Sequence, residues 1–302
     1  MRTPNHYAGS SLDRAHLKRR DEAWLRERLA HPDSAVLPLW HGQPLVSGAE
    51  APAPGLIAAS EVSAALLEGE WALLGIAGER AVFALDLPGA GEEPPDFSRW
   101  GRFADLRQVG PILAREDAAL LAYARGLMLW HERHRFCGVC GAATRSVEGG
   151  HQRRCTKEGC GAVHFPRTDP AVIMLVTSGG KALLGRQAAW PAGMHSTLAG
   201  FVEPGESLEE AVAREVMEEV GVPVSEVRYH SSQPWPFPAS IMLGFTARAL
   251  EEKLRLNPEE IEHAAWFTRA ELRDSPEDER LRLPRRDSIA YRLIRDWIEK
   301  EG

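Results

Sequence analysis

The 302-residue chain is predicted to be an α/β protein: a mixed sheet flanked by helices at its C-terminal end, preceded by a small cysteine-rich module and an α+β N-terminal domain. Three observations predict this. Apolar runs of strand length, "AVIMLV" at 171–176, "ALLG" at 182–185 and the stretch 241–248, alternate with helical patterns at 207–221 and 287–299. All four cysteines fall between residues 137 and 160, in two close pairs. Further upstream, "WALLGI" and "AVFALDL", separated by Gly78-Glu79-Arg80, read as a hairpin. These features set the boundaries at 1–132, 133–167 and 168–302. A chain with 44% apolar residues and this length can bury more than one core.

Element by element, the N-terminal domain opens with a helical pattern around 14–29, followed by a strand-like "AVLPLW" and then the hairpin. Proline and glycine mark "APAPG" and "PGAGEEPP" as loops. A linking helix is expected over 116–134, with Leu120, Tyr123, Leu127 and Trp130 along one side.

The cysteines are spaced Cys137-x2-Cys140 and Cys155-x4-Cys160, each pair beside glycines that permit tight knuckles. Four thiolates so paired suit a closed tetrahedral zinc site, so the metal is expected to be structural. On the order of 10 kcal/mol of metal binding can then fold a segment too small for its own core. Zinc ribbons also occur in nucleic-acid-binding proteins, and His151-Gln152-Arg153-Arg154 forms a small basic patch.

The stretch "GFVEPGESLEEAVAREVMEEVGV", 200–222, holds seven glutamates and one arginine. Ser207 and Glu210 have capping-box spacing, Leu208, Val212, Val216 and Val220 form an apolar stripe, and Gly221 suits a left-handed helix end. On that helix Glu215 lies beside both Glu218 and Glu219, where carboxylates repel. Arg214 can hold Glu218, four residues on, but one cation cannot neutralise the cluster. A solvated acidic face is one reading; a hard divalent cation that prefers oxygen ligands is the other.

The same stretch resembles the Nudix hydrolase family at each fixed position of its box: Gly200, Glu206, Arg214, Glu215, Val216, Glu218, Glu219, Gly221 and Val222. The resemblance implies an α/β/α sandwich with a mixed sheet, in which the box binds Mg2+ or Mn2+. Glu215 and Glu219 would be ligands, Glu218 a ligand or water-activating group, and the Ala199 carbonyl a further ligand; Glu218 and Glu219 both stand as candidates for the base. Arg214 and Glu206 look structural by the same analogy. Glu260 matches a family glutamate and would complete the metal shell, with Glu259 and Glu262 as rivals.

Downstream, "SQPWPFP" at 232–238 resembles the signature of the zinc-ribbon NADH pyrophosphatase subgroup. Read alone, it is a rigid turn whose two rings either pack in a loop or offer stacking surfaces. The subgroup implies hydrolysis of NADH to reduced nicotinamide mononucleotide and AMP, with NAD+ and NAD-capped RNA as further substrates. It implies substrate contacts from Phe165, Phe201, Gln233, Trp235, Phe237, Ser240, Met242 and Ala290, and a homodimer. Core packing competes for Phe165 and Phe201. Arg107, in Leu106-Arg107-Gln108, resembles a family position that could reach a phosphate; an ordinary surface arginine is the other reading.

A net charge of -7 argues against a broad nucleic-acid surface. The polar N-terminus lacks the apolar core of a secretory signal and no run approaches membrane-spanning length, so a cytoplasmic protein without membrane contact is expected. The competing functions are a Nudix pyrophosphatase for ADP-ribose or another nucleoside diphosphate derivative, and a non-catalytic nucleotide-sensing module.

Overall fold

The computed structural model describes residues 3–62, 69–87 and 93–300. The chain divides into two compact units, one of Tyr7–Thr168 with Trp235–Ala239, the other of Met1–His6, Asp169–Pro234 and Ser240–Gly302.

The first unit begins with α1 (Glu22–Ala30) and a sheet of β1 (Ala35–Trp40), β2 (Gln43–Ser47), β3 (Ala53–Pro54), β4 (Ile57–Ala58), β5 (Glu70–Ala77), β6 (Arg80–Asp86) and β7 (Arg102–Phe103). Strand order is β3-β2-β1-β6-β5, with β4 on β1 and β7 on β2. The predicted hairpin forms as β5 and β6, antiparallel from Glu70↔Asp86 to Ala77↔Arg80. The first helix starts later than the pattern 14–29 predicts. Ala15 sits at φ 48°, outside helical space, and the Asp21 carboxylate accepts from the Trp24 amide at 3.0 Å, capping a helix that begins at Glu22. "APAPG" is not wholly loop, since Ala53–Pro54 pairs with Ser47 and Val46 as a short strand where proline is tolerated. The loop at "PGAGEEPP" falls largely on 88–92, outside the described residues.

Next come α2 (Leu106–Val109) and α3 (Arg115–Arg133), the latter burying Leu120, Leu121, Leu127, Met128 and Trp130. Three short strands, β8 (Thr144–Val147), β9 (Gln152–Cys155) and β10 (Val163–His164), make the cysteine module's antiparallel sheet. Arg153 is withdrawn from the basic patch expected at 151–154. It is 4% exposed and donates to Glu70 at 2.6 Å and to the Thr144 hydroxyl at 2.8 Å. A buried guanidinium needs such partners.

The second unit holds a six-stranded mixed sheet of β11 (Asp169–Ser178), β12 (Lys181–Arg186), β13 (Leu198–Phe201), β14 (Val224–Trp235, leaving the unit after Pro234), β15 (Ser240–Ala249) and β16 (His263–Thr268). Order is β14-β15-β11-β12-β16 with β13 on β11; β11 and β15 run parallel, from Asp169↔Ser240 to Thr177↔Arg248. Alternate residues of β11 face opposite cores. Val172, Met174 and Val176 pack with Val212, Val216 and Val220 of α4 (Leu208–Val220). Ile173 and Leu175 pack with Leu272 of α5 (Arg269–Arg273) and with Ile289, Leu293 and Ile294 of α6 (Ile289–Glu299). This is the predicted α/β/α sandwich, and each fully buried valine or leucine contributes about 1.5–3 kcal/mol.

Candidate active site and metal centres

The helix α4 begins and ends where its sequence dictates. The Glu210 amide donates to Ser207 Oγ at 3.3 Å, the Ser207 amide donates to Glu210 Oε2 at 2.8 Å, and Gly221 takes φ 66°. With Val212, Val216 and Val220 fixed in the core, Glu215 and Glu219 are carried partly inward and are 8% and 4% exposed, while Glu218 stays in solvent.

Arg214 organises this acidic group. Its guanidinium donates to Glu206 at 2.5 and 3.0 Å, to Glu215 at 3.0 Å, to Glu218 at 2.8 Å and to the Phe201 carbonyl at 2.9 Å. The fork thereby ties the helix to the end of β13 and the preceding turn. Gly200, on β13, lies against Glu215, and any Cβ there would fall inside that carboxyl group. The box glycine is therefore required by close approach.

Glu219 is the unusual member. Its Oε2 is buried with no hydrogen-bond partner. Burial, then the charges of Glu215 and Glu260, push its carboxyl up to about 8. Burial also raises Glu215, outweighing Arg214. Glu260 comes close because its loop docks on the end of α4: the Arg255 and Asn257 amides donate to the Val220 and Glu219 carbonyls at 2.8 and 3.0 Å. Of the three glutamates considered there, Glu262 is paired with Arg186 at 2.5 Å, whereas the charge of Glu260 acts on both Glu215 and Glu219. An orphaned buried carboxylate oxygen amid hard oxygen donors fits a magnesium-like ion. Ala199 lies half-buried on β13, paired with Ile173.

The cysteines form a second centre. The ligand atoms of Cys137, Cys140, Cys155 and Cys160 all lie within 4.8 Å of one another, and this is the only such group of histidine, cysteine or acidic residues among the described residues. The Val139 and Lys157 amides donate to Cys137 and Cys155 sulfurs, each at 3.4 Å. Both knuckles close this way, so the longer Cys155-x4-Cys160 spacing leaves the four-thiolate set intact, as structural zinc requires.

The predicted substrate residues separate by place. Across the C-terminal sheet Phe201, Ala171 and Met242 share one row, with Phe201 60% exposed and Met242 half-buried. Ala290 is buried in the core that Met242 packs against. Ser240 is buried beside Asp169 on the neighbouring strand. Gln233 is fully buried and its amide is used within the unit: Nε2 donates to the His6 and Asp287 carbonyls at 3.1 and 2.7 Å, and Oε1 accepts from the Ile289 amide at 2.7 Å. Trp235 and Phe237 belong to the other unit, where the Arg107 guanidinium lies 4.5 Å over the Phe237 ring. Phe165 is 53% exposed in that same unit. Sequence reasoning missed the terminal segment around Asn5, whose amide donates to Ser231 Oγ and the Ser232 carbonyl at 3.0 and 2.7 Å, and no local pattern announces it.

Comparison with known proteins matches residues 33–130 to the NADH pyrophosphatase-like rudimentary NUDIX domain, 132–165 to the NADH pyrophosphatase zinc ribbon domain and 167–290 to the NUDIX domain. The chain is 43% identical over 216 residues to the NAD-capped RNA hydrolase NudC of Stutzerimonas stutzeri, covering 71% of this chain and 70% of that protein. It is 45% identical over 207 residues to the protein of that name from Mycobacterium bovis, covering 65% and 66% of the two chains. It is also 45% identical over 197 residues to the human NAD-capped RNA hydrolase NUDT12, covering 62% of this chain but only 43% of the human protein. Among the described residues no helix is long and apolar enough to cross a membrane.

Proposed function

Since the chain belongs to the Nudix hydrolase family, in the branch with the NADH pyrophosphatase zinc ribbon, we propose that it hydrolyses the pyrophosphate of NADH to reduced nicotinamide mononucleotide and AMP. NAD+ and NAD-capped RNA are its further substrates on this reading, and it acts in the cytoplasm as a homodimer. The single observation that carries the reading is the Glu219 carboxylate, buried with one oxygen unpartnered beside Glu215 and Glu260. A protein that only sensed nucleotides would have no need of that arrangement.

Glu215, Glu219, Glu260 and the Ala199 carbonyl would hold Mg2+ or Mn2+, with Glu218 at the exposed edge. Such ions, when bound, lower the pKa of water and neutralise charge on phosphate oxygens. Arg214 keeps Glu215 and Glu218 aimed and ties them to Phe201. Glu218 or Glu219 takes the proton from the attacking water, both being carboxylates of the same cluster. Phe201 offers an exposed ring to a planar base.

The test is product release by the purified protein with Mg2+ or Mn2+. AMP should appear from NADH faster than from ADP-ribose, and the reverse order would remove the substrate assignment. Glu219→Gln should lower turnover at least about a hundredfold, and a near-normal rate would mean that the metal site lies elsewhere.

A further inference from the structure

The chain leaves the C-terminal unit after Pro234 and re-enters it at Ser240, and the intervening turn, Trp235–Ala239, is part of the N-terminal unit. There Phe237 is 7% exposed in a core that includes Tyr7, Leu39 and Leu121. The Tyr7 ring stands edge-on to Phe237 at 5.8 Å and to Trp235 at 6.1 Å, and the Trp235 and Phe237 rings meet at 5.1 Å. The turn is rich in carbonyls and poor in donors, because Pro234, Pro236 and Pro238 have no N–H. Its one internal backbone bond runs from the Phe237 amide to the Trp235 carbonyl at 2.8 Å. The Pro236 and Pro238 carbonyls therefore need donors from elsewhere.

Arg125, on α3, supplies them. Its Nη1 donates to the Pro236 carbonyl and, at 3.2 Å, to the Pro238 carbonyl, while the guanidinium lies 5.5 Å from the centre of the Phe237 ring. Arg107 lies on the same ring at 4.5 Å. One planar cation thus contacts three consecutive residues of the turn, which a lysine's point charge cannot do.

We propose that Arg125 is a positioning residue for dinucleotide recognition, and that the N-terminal unit serves to hold the substrate-selecting turn in shape. This rests on the proposed function above, in which the turn distinguishes NADH from ADP-ribose.

Initial rates with Mg2+ are measured for the full chain, R125K and R125A on both substrates, with circular dichroism and zinc content as controls on folding. R125A should raise the KM for NADH about tenfold, the scale set by hydrogen bonds to a charged donor, with kcat within about threefold of the parent and the KM for ADP-ribose within about twofold. R125K, which keeps one donor but no planar face, should fall between. A folded R125A with unchanged KM for NADH, or with equal increases for both substrates, would overturn the proposal. Should R125A fail to fold, R125K decides: its KM ratio of NADH to ADP-ribose must rise at least about threefold, and an unchanged ratio overturns the inference. A parent protein that prefers ADP-ribose overturns the functional reading itself, and this inference with it.

Discussion

In Glu219→Gln, a neutral amide of nearly the same shape replaces a carboxylate whose Oε2 is buried and unpartnered. Without Mg2+ or Mn2+, burial and the neighbouring Glu215 and Glu260 raise this carboxyl from its ordinary 4.5 to about 8. Between those values the folded protein holds a proton that the unfolded chain releases. Stability from this group is therefore complete below pH 4.5 and is lost as pH rises through 8. The interval is worth about 5 kcal/mol at most, at about 1.4 kcal/mol per pH unit. Glutamine removes that dependence. At pH 8.5 the variant should be the more stable protein by several kcal/mol, an increase in Tm of about 10 °C for a unit of this size, while near pH 4.5 the two should unfold together. The assay is thermal unfolding by circular dichroism at several pH values, with zinc retained and no Mg2+ or Mn2+ added. Adding Mg2+ at pH 8.5 should raise the parent's Tm and leave the variant's almost unmoved. Parallel Tm curves for the two proteins would refute the claim that Glu219 is a carboxylate destabilised by its surroundings.

Gly200→Ala should leave the far-UV spectrum intact but lower kcat/KM at least about tenfold, because the new methyl displaces the Glu215 carboxyl; a Mg2+ titration would register the weakened site. Arg214→Lys loses the fork onto Glu206 and the Phe201 carbonyl, and a cost of about 2–3 kcal/mol in denaturant unfolding is expected. Elemental analysis after dialysis should find about one zinc per chain. In Cys155→Ser the zinc should be lost, with amide protection over 133–167 lost alongside it.

How legible each element was depended on how local its causes are. The helix α4 could be bounded from sequence because its capping pair, its valine stripe and Gly221 all lie within the element. The strand β14 carries a polar, mostly half-exposed pattern, "VSEVRYHSSQPW", and gives no comparable signal. Gln233 could not be placed because its partners, His6, Asp287 and Ile289, are far away in sequence. The acidic cluster could be read as metal-binding from the crowding of its charges. That Glu219 rather than Glu218 is the desolvated one follows only from the register of α4 against the core. For the cysteines, spacing alone predicted a convergence that the backbone achieves.

The dual membership of the segment Trp235–Ala239 bears on how this architecture can be dissected. Cutting the gene between Thr168 and Asp169 would express the hydrolase half by itself. Such a fragment would keep Phe237 but discard Tyr7 and Arg125, and would also shed the Asn5 strap that binds Ser231 and Ser232. Neither half is a free-standing cassette, so duplication or recombination at that seam would yield pieces prone to stick together, and the two halves are bound to evolve as one inheritance.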